Sequence, residues 1–437
     1  MEVRGLPLED YKEDMERCVR CSHCKHVPYV PLARVDRNFR DVCPSVAKFN
    51  WHSFSGGGKM ITAYALLLNR IDYTPTLEKV VYQCQMCGAC DVACKVQMDI
   101  EPFETMLELR ARLVENGVFP AELMPIVDWL KKEDNMMQKP KAERGKWAAG
   151  LQLKDLSKEK AEVAFHVGCR FSFDSELWQV ARTAATLLTN AGVDVGIFGM
   201  DETCCGGRAY ELGFQGEFIK YMDHNIEAWR NAGVKTIITP CSDCYATFKA
   251  WYSRYGHREF QVLHVLEYLE RLIKEGKIKL RKNIPMVVTY HDPCHLGRLS
   301  EPYLYSSPGK PYITPKKKVL GTMLIHEPPK PWRRGANGIY DPPRNILKSI
   351  PGLKLVEMYR IREYAWCCGA GGGVKDTYPD FAIWAAKQRI REAKAVGAEA
   401  LVTACGWCER NFKDALEEMD EKIRIYDVVE LVKEAIE

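Results

Sequence analysis

Residues 236–244 read Thr236-Ile-Ile-Thr-Pro240-Cys241-Ser-Asp-Cys244, and residues 399–408 read Glu399-Ala-Leu-Val-Thr-Ala404-Cys405-Gly-Trp-Cys408. Each is a short apolar run that ends in a Cys-x2-Cys pair, and runs of this length read as buried strands. Ala161-Glu-Val-Ala-Phe-His-Val and Pro285-Met-Val-Val-Thr-Tyr are further runs of the same kind, and each reaches a single cysteine, Cys169 or Cys294, within four residues. Between the runs lie helical patterns at Ser175 to Ala191, Phe214 to Asn231 and Phe381 to Ala395, closed by glycines at 192, 233 and 397. Strands alternating with helices predict parallel α/β units, in which ligands bind beyond the carboxyl ends of the strands.

With the cysteines as rulers, the second half is a duplication. Cys169 is followed after 34 residues by Cys204-Cys205-Gly206-Gly207, and after 35 more by Cys241 and Cys244. Cys294 is followed after 72 residues by Cys367-Cys368-Gly369, and after 36 more by Cys405 and Cys408. Adjacent cysteines project in different directions, so they suit two irons of a larger cluster better than one mononuclear metal. The glycines Gly206, Gly207 and Gly369 to Gly373 permit close backbone approach to something bulky. Gly369 to Gly373 lacks the dinucleotide order and Gly56-Gly57-Gly58-Lys59-Met60 lacks the Walker spacing, so neither reads as a phosphate loop.

The first half carries the other eight cysteines. Cys84-Gln-Met-Cys87-Gly-Ala-Cys90-Asp-Val-Ala-Cys94 has the C-x2-C-x2-C-x3-C spacing of a bacterial ferredoxin. Cys18-Val-Arg-Cys21-Ser-His-Cys24 repeats its start, with the fourth cysteine delayed to Cys43-Pro44. If the fourth ligands cross, Cys18, Cys21, Cys24 and Cys94 hold one [4Fe-4S] cubane, and Cys84, Cys87, Cys90 and Cys43 hold the other. Zinc sites instead separate C-x2-C pairs by a dozen or more residues. Lys95 stands where proline is usual. The long separation of the two motifs, with a helical stretch at Ile61 to Asn69, makes this a helical ferredoxin rather than a compact one.

The 18 cysteines of the 437 residues thus fall into groups of four, four, five and five with none left over. That is too few for a secreted disulfide scaffold and too ordered for scattered core thiols. Charged residues are 27% and aromatics 10%, which excludes disorder. The N-terminal stretch has no signal-peptide pattern and no window is apolar enough to span a membrane, so the expectation is a cytoplasmic protein that meets a membrane only through a partner.

The two five-cysteine sets resemble the CCG, or cysteine-rich, domain of heterodisulfide reductases. With the doubled ferredoxin motif in front, the order resembles the fused D-type subunit, in which an electron-transfer C portion precedes a catalytic B portion. The resemblance implies that Cys169, Cys204, Cys205, Cys241 and Cys244 bind one noncubane [4Fe-4S] cluster and that Cys294, Cys367, Cys368, Cys405 and Cys408 bind another. It implies that these cysteines are catalytic and that the clusters flank a pocket where a disulfide is split. The Cys24 to Cys43 excursion and the Trp51-His52-Ser53-Phe54-Ser55-Gly56-Gly57 segment look more like the heterodisulfide-reductase-like subunit of class II benzoyl-CoA reductase complexes. Implied partners are a flavin-containing heterodisulfide reductase A-type subunit, a ferredoxin, a hydrogenase or a membrane cytochrome, and a small disulfide or thiol substrate. Nucleic acid is not among them.

The second copy is the longer one, and its surplus lies in 300–345. This insert holds nine of the 23 prolines, eight basic residues and three acidic ones, a net +5 in a chain of net +4. Its expected role is an extended cationic arm across a partner or an anionic substrate. His291 and His295 bracket Cys294 and, with Gly206, Gly207 and Gly369, are read as cofactor-binding; His166 precedes Cys169 by three.

The expected organisation is α+β and multidomain: a helical two-cluster ferredoxin domain over 1–125, a linker over 126–160, and Rossmann-like CCG domains over 161–283 and 284–437. The expected function is that of an iron–sulfur oxidoreductase subunit reducing a disulfide. A pure electron conduit without a disulfide substrate is the alternative.

Overall fold

The computed structural model describes residues 7–27, 36–95, 98, 100–301, 316–320, 323–327 and 334–436. The N-terminal part is helical. Its helices Pro44–Phe49, Pro75–Tyr82 and Pro102–Glu115 each begin on a proline, whose missing N–H is not needed in a first turn. Thr74 caps the second by accepting from Leu77 N at 3.2 Å, and Ser55 caps the helix Gly56–Leu67 by accepting from Gly58 N at 2.9 Å. Helix Ala89–Lys95 carries the last two cysteines of the ferredoxin-like motif.

The rest is two parallel sheets. The first orders β1 (Lys154–Asp155), β3 (Val195–Ile197), β2 (Val163–Phe165), β4 (Thr236–Thr239) and β5 (Gln261–His264) from edge to edge. In the second, β9 (Leu353–Leu355), β6 (Met286–Tyr290), β10 (Ala400–Thr403) and β11 (Arg424–Asp427) are adjacent in that order. Strand by strand, β3-β2-β4-β5 corresponds to β9-β6-β10-β11, so the duplication read from the cysteines is a duplication of topology. All ladders in both sheets are parallel. The expected helices form as Trp178–Asn190, Gln215–Asn231 and Pro379–Ala395.

Two expectations are corrected. Residues 126–160 do not make a free linker: helix Met124–Glu133 buries Ile126, Val127 and Leu130, Arg144 and Trp147 are inside the protein, and β1 joins the first sheet. Their apolar side chains cover a core that would otherwise be wet. Nor is the 300–345 insert wholly an extended cationic arm. Its Arg334 is buried against Asp91 (2.7 Å) and Glu104, and its Arg344 is buried against Asp292 (2.6 Å) and Glu357 (2.6 Å). A guanidinium in the interior needs such partners to offset its desolvation. β7 (Lys316–Leu320) and β8 (Met323–Glu327) form an antiparallel hairpin within the insert, while Lys310, Lys330 and Arg333 lie outside the described residues.

Candidate metal centres

Cys18, Cys21, Cys24 and Cys94 line one cavity, together with Arg20, His52 and Gly57. Cys43, Cys84, Cys87 and Cys90 line a second, together with Gly56, Lys59 and Met86. The helix Gly56–Leu67 runs between them because its first residues have no side chain. A Cβ on Gly56 would lie 2.8 Å from Cys90 Cβ and 3.4 Å from Cys24 Cβ, and one on Gly57 would lie 3.3 Å from Cys18 Sγ. Gly57 N–H also donates to Cys24 Sγ at 3.3 Å. The glycine run is therefore the shared wall of two thiol-lined cavities. Its proximity to the third cysteine of each motif is invisible in a linear reading.

Each five-cysteine set is an unbroken chain of thiol contacts. In the first the order is Cys169, Cys204, Cys205, Cys244, Cys241; in the second it is Cys294, Cys367, Cys368, Cys408, Cys405. All ten are buried and none is in a disulfide. The paired cysteines stand before short helices and the Cys-x2-Cys pairs at strand ends, as parallel sheets require. The backbone N–H of Gly206 donates to Cys204 Sγ and that of Gly369 to Cys367 Sγ, both at 3.4 Å. Gly168 leaves room for Cys244, whose Sγ lies 2.6 Å from where a Cβ would be.

The sets face each other through their Cys-x2-Cys turns. Ser242 Oγ donates to Ala404 O at 2.6 Å, and the Trp407 ring lies against the guanidiniums of Arg170 (3.9 Å) and Arg208 (5.0 Å). Between the sets is a buried charge network. Arg208 pairs with Glu211 (3.1 Å) and Asp243 (2.9 Å), and His295 pairs with the same two carboxylates at 2.8 and 3.3 Å while its Nδ1 lies 3.3 Å from Cys294 Sγ. Burial opposes a charge on His295, but Asp243 and Glu211 hold its pKa well above the usual imidazole value.

Buried arginines, which the sequence did not single out, join these parts. Arg110 donates to Cys84 O (2.8 Å), Gly372 O (2.8 Å) and Glu211 O (3.0 Å). It thereby pins the ferredoxin-like loop to the Gly369 to Gly373 run. A Cβ on Gly371 would come within 2.4 Å of Gln85 O. The bulky neighbour of that glycine run is thus the Cys84–Cys87 loop, and the approach places Cys87 in hydrogen-bonding contact with Cys367. Arg298 donates to Cys87 O and to Ala365 O (2.6 Å), and Arg144 Nη2 donates to Cys169 Sγ at 3.3 Å. Only periodicity at Arg110, buried in an otherwise apolar helix face, hinted at this.

The donors fit iron–sulfur clusters. Burial pushes the thiols of Cys43 and Cys94 up to about 12, so thiolates there require a cation at the sulfur. The cavities are walled by glycine, and each is ringed by four thiols, the donor set of a [4Fe-4S] cluster. Among the described residues, no helix is long and apolar enough to cross a membrane.

Comparison with known proteins agrees with this layout. The 4Fe-4S dicluster domain matches residues 14–98, and the cysteine-rich domain CCG matches residues 163–249 and 331–413. The D-type subunit of dihydromethanophenazine:CoB--CoM heterodisulfide reductase from Methanosarcina mazei is 32% identical over 82% of this chain and 78% of its own length. "Probable iron-sulfur-binding oxidoreductase FadF" of Bacillus subtilis is 29% identical over 87% of this chain and 50% of its own length. EtfAB:quinone oxidoreductase of Syntrophomonas wolfei is 28% identical over 82% and 47%. A hypothetical protein from Helicobacter pylori shares the fold, with a TM-score of 0.52 at 10% identity over 98% of this chain and 76% of that one.

Proposed function

The chain belongs to the family of D-type heterodisulfide reductase iron–sulfur proteins, and we propose that it passes electrons through two [4Fe-4S] cubanes to two noncubane clusters that reduce a small disulfide. The observation that supports this best is the pair of equivalent five-thiol sets facing each other, one of them in contact with the ferredoxin-like loop through Cys87 and Cys367. Bound iron–sulfur clusters supply single-electron steps, whereas cleaving R–S–S–R to two thiols takes two electrons and two protons. Two facing sites divide that demand. The network of Arg208, Glu211, Asp243 and His295 keeps protons and positive charge where thiolates form.

The ligand sets are Cys18, Cys21, Cys24 and Cys94; Cys43, Cys84, Cys87 and Cys90; and the two fives. Electrons enter at the first of these. Cys21 is the one exposed cysteine of the 18, and Val19, which lines the same cavity, and Trp51, the chain neighbour of the cavity residue His52, are 66% and 72% exposed. Arg20 and Lys25 act on His52 at the mouth of that cavity, so the entry surface is basic and suits a redox partner with carboxylates around its cofactor.

Anaerobic turnover of a thiol/disulfide pair against a reduced viologen dye tests the reading, with disulfide-dependent dye oxidation as the expected result. A second reading, a conduit without a disulfide of its own, is favoured by the quinone-linked relative, and dye oxidation that ignores every disulfide offered would select it.

A further inference from the structure

His166 and His291 hold the same place in the two copies. Each follows its strand, β2 or β6, directly and stands three residues before the first cysteine of its set. The backbone N–H of His166 donates to Ile238 O at 2.9 Å and that of His291 to Val402 O at 2.8 Å, each acceptor three residues before a Cys-x2-Cys pair. Both rings are buried, at 2% and 1% exposure, and Nε2 of each makes no hydrogen bond of good geometry to a nitrogen or oxygen of the protein. Leaving a buried polar atom unpaired costs free energy. In the second copy the His291 ring also bears on the Cys368 thiol, so the partner its position points to is a sulfur of the second five-cysteine set.

At His291 the neighbours fix the tautomer. Arg389 Nε donates to His291 Nδ1 at 3.1 Å. A guanidinium has only donors, so Nδ1 offers its lone pair and the proton of the neutral ring sits on Nε2. The ring meets Phe412 edge-on at 5.0 Å, and one of its nitrogens lies within 4.8 Å of both Cys368 Sγ and Cys408 Sγ. An imidazole that ligates a metal normally donates its other N–H to an acceptor, and here that side holds a donor, so the ring is set up to give a hydrogen bond rather than to coordinate. In the first copy His166 Nδ1 faces Glu202 Oε2 at 3.8 Å, an acceptor, and the constraint is reversed.

We propose that His291 donates an Nε2–H···S hydrogen bond to the cluster held by the second five-cysteine set, with Arg389 as the positioning residue that holds the ring in the donor tautomer. This rests on the cluster assignment given above. A hydrogen bond to a cluster or ligand sulfur favours the reduced state. His291 therefore makes the second set take an electron more readily than it would without this donor, and the reversed constraint at His166 means that the two copies do not share this device.

The test is pulsed EPR on reduced, iron-loaded full-length protein labelled with 15N-histidine, together with EPR-monitored redox titrations. The expected results are a weak 15N coupling that disappears in His291→Phe and a midpoint that falls in that variant. The fall should shift the oxidised-to-reduced ratio about tenfold at fixed potential, since a hydrogen bond to a charged group contributes about as much as one decade. His291→Gln, which keeps an N–H donor, should recover part of it, and His166→Phe should leave that midpoint in place. A strong coupling, as from a coordinating nitrogen, overturns the proposal, as does a His291→Phe midpoint within twofold of the wild type. Because His295 Nδ1 also lies 3.3 Å from Cys294 Sγ, the coupling counts for His291 only when it is lost in His291→Phe or, should that variant fail to fold, in His291→Gln. Wild-type protein lacking the iron of this set overturns the cluster assignment and the hydrogen bond together, whereas loaded protein without 15N coupling overturns the hydrogen bond alone.

Discussion

The thiol of Cys87 on the ferredoxin-like loop is in hydrogen-bonding contact with the thiol of Cys367 in the second paired-cysteine motif. Two of the four cysteine groups therefore meet here, with the Arg298 guanidinium bearing on Cys87, Cys294 and Cys367 together. Replacing Arg298 by Met removes a positive charge that favours added electrons on both sides. The midpoints of both adjoining clusters are expected to fall in an EPR-monitored titration, while the cluster at Cys18, Cys21, Cys24 and Cys94 holds its value.

Iron and acid-labile sulfide analysis of anaerobically purified protein should find about 16 Fe per chain, four clusters of four. Cys94→Ser should remove the EPR signal that Cys18→Ser removes, and Cys43→Ser the one that Cys84→Ser removes. Loss of one signal in both Cys94→Ser and Cys84→Ser would refute the crossed ligand sets.

Gly56→Ala should strip iron from both cavities, because the added methyl meets Cys90 Cβ at 2.8 Å and Cys90 Sγ at 3.1 Å. Gly216→Ala, with nothing within 4 Å of the new carbon in the helix Gln215–Asn231, should keep full iron and gain slightly in thermal stability. Metal content and melting temperature report both.

Arg110→Met leaves the carbonyls of Cys84, Gly372 and Glu211 without their donor. The cost is expected to be about 3 kcal/mol, from roughly 1 kcal/mol or more for each buried acceptor left unpaired. Thermal unfolding followed by circular dichroism should show a midpoint lower by several degrees, with a slower electron transfer from the ferredoxin-like groups to the second five-cysteine set in stopped-flow.

Burial, aided by repulsion from Glu104, pushes the carboxyl of Glu108 up to about 8 against the opposing effect of the hydrogen bond that Gln215 donates to it. A raised carboxyl keeps its proton in the fold after the unfolded chain has lost it. Its contribution to stability is complete below the ordinary 4.5 and is lost as pH rises toward 8. Glu108→Gln should flatten the pH dependence of the melting temperature between those values, and an unchanged slope would contradict the burial argument.

The sequence by itself determined the grouping of the cysteines and the architecture. Thiol spacing is a local property, so Cys84 to Cys94 and the two Cys-x2-Cys runs were enough to declare a ferredoxin-type motif and a duplicated α/β unit. The equivalence of His166 and His291 was also countable, three residues before Cys169 and Cys294. What the neighbours do to those residues was not. That Gly56 walls two cavities, that Gly369 to Gly373 meets Gln85, and that Arg389 fixes the proton on His291 all depend on contacts between segments far apart in the chain. Such contacts are chosen by packing and charge compensation in the folded interior. The insert makes the same point: its charges read as an extended cationic arm, yet Arg334 and Arg344 found Asp91, Glu104 and Asp292 inside, because only the fold brings those carboxylates within reach.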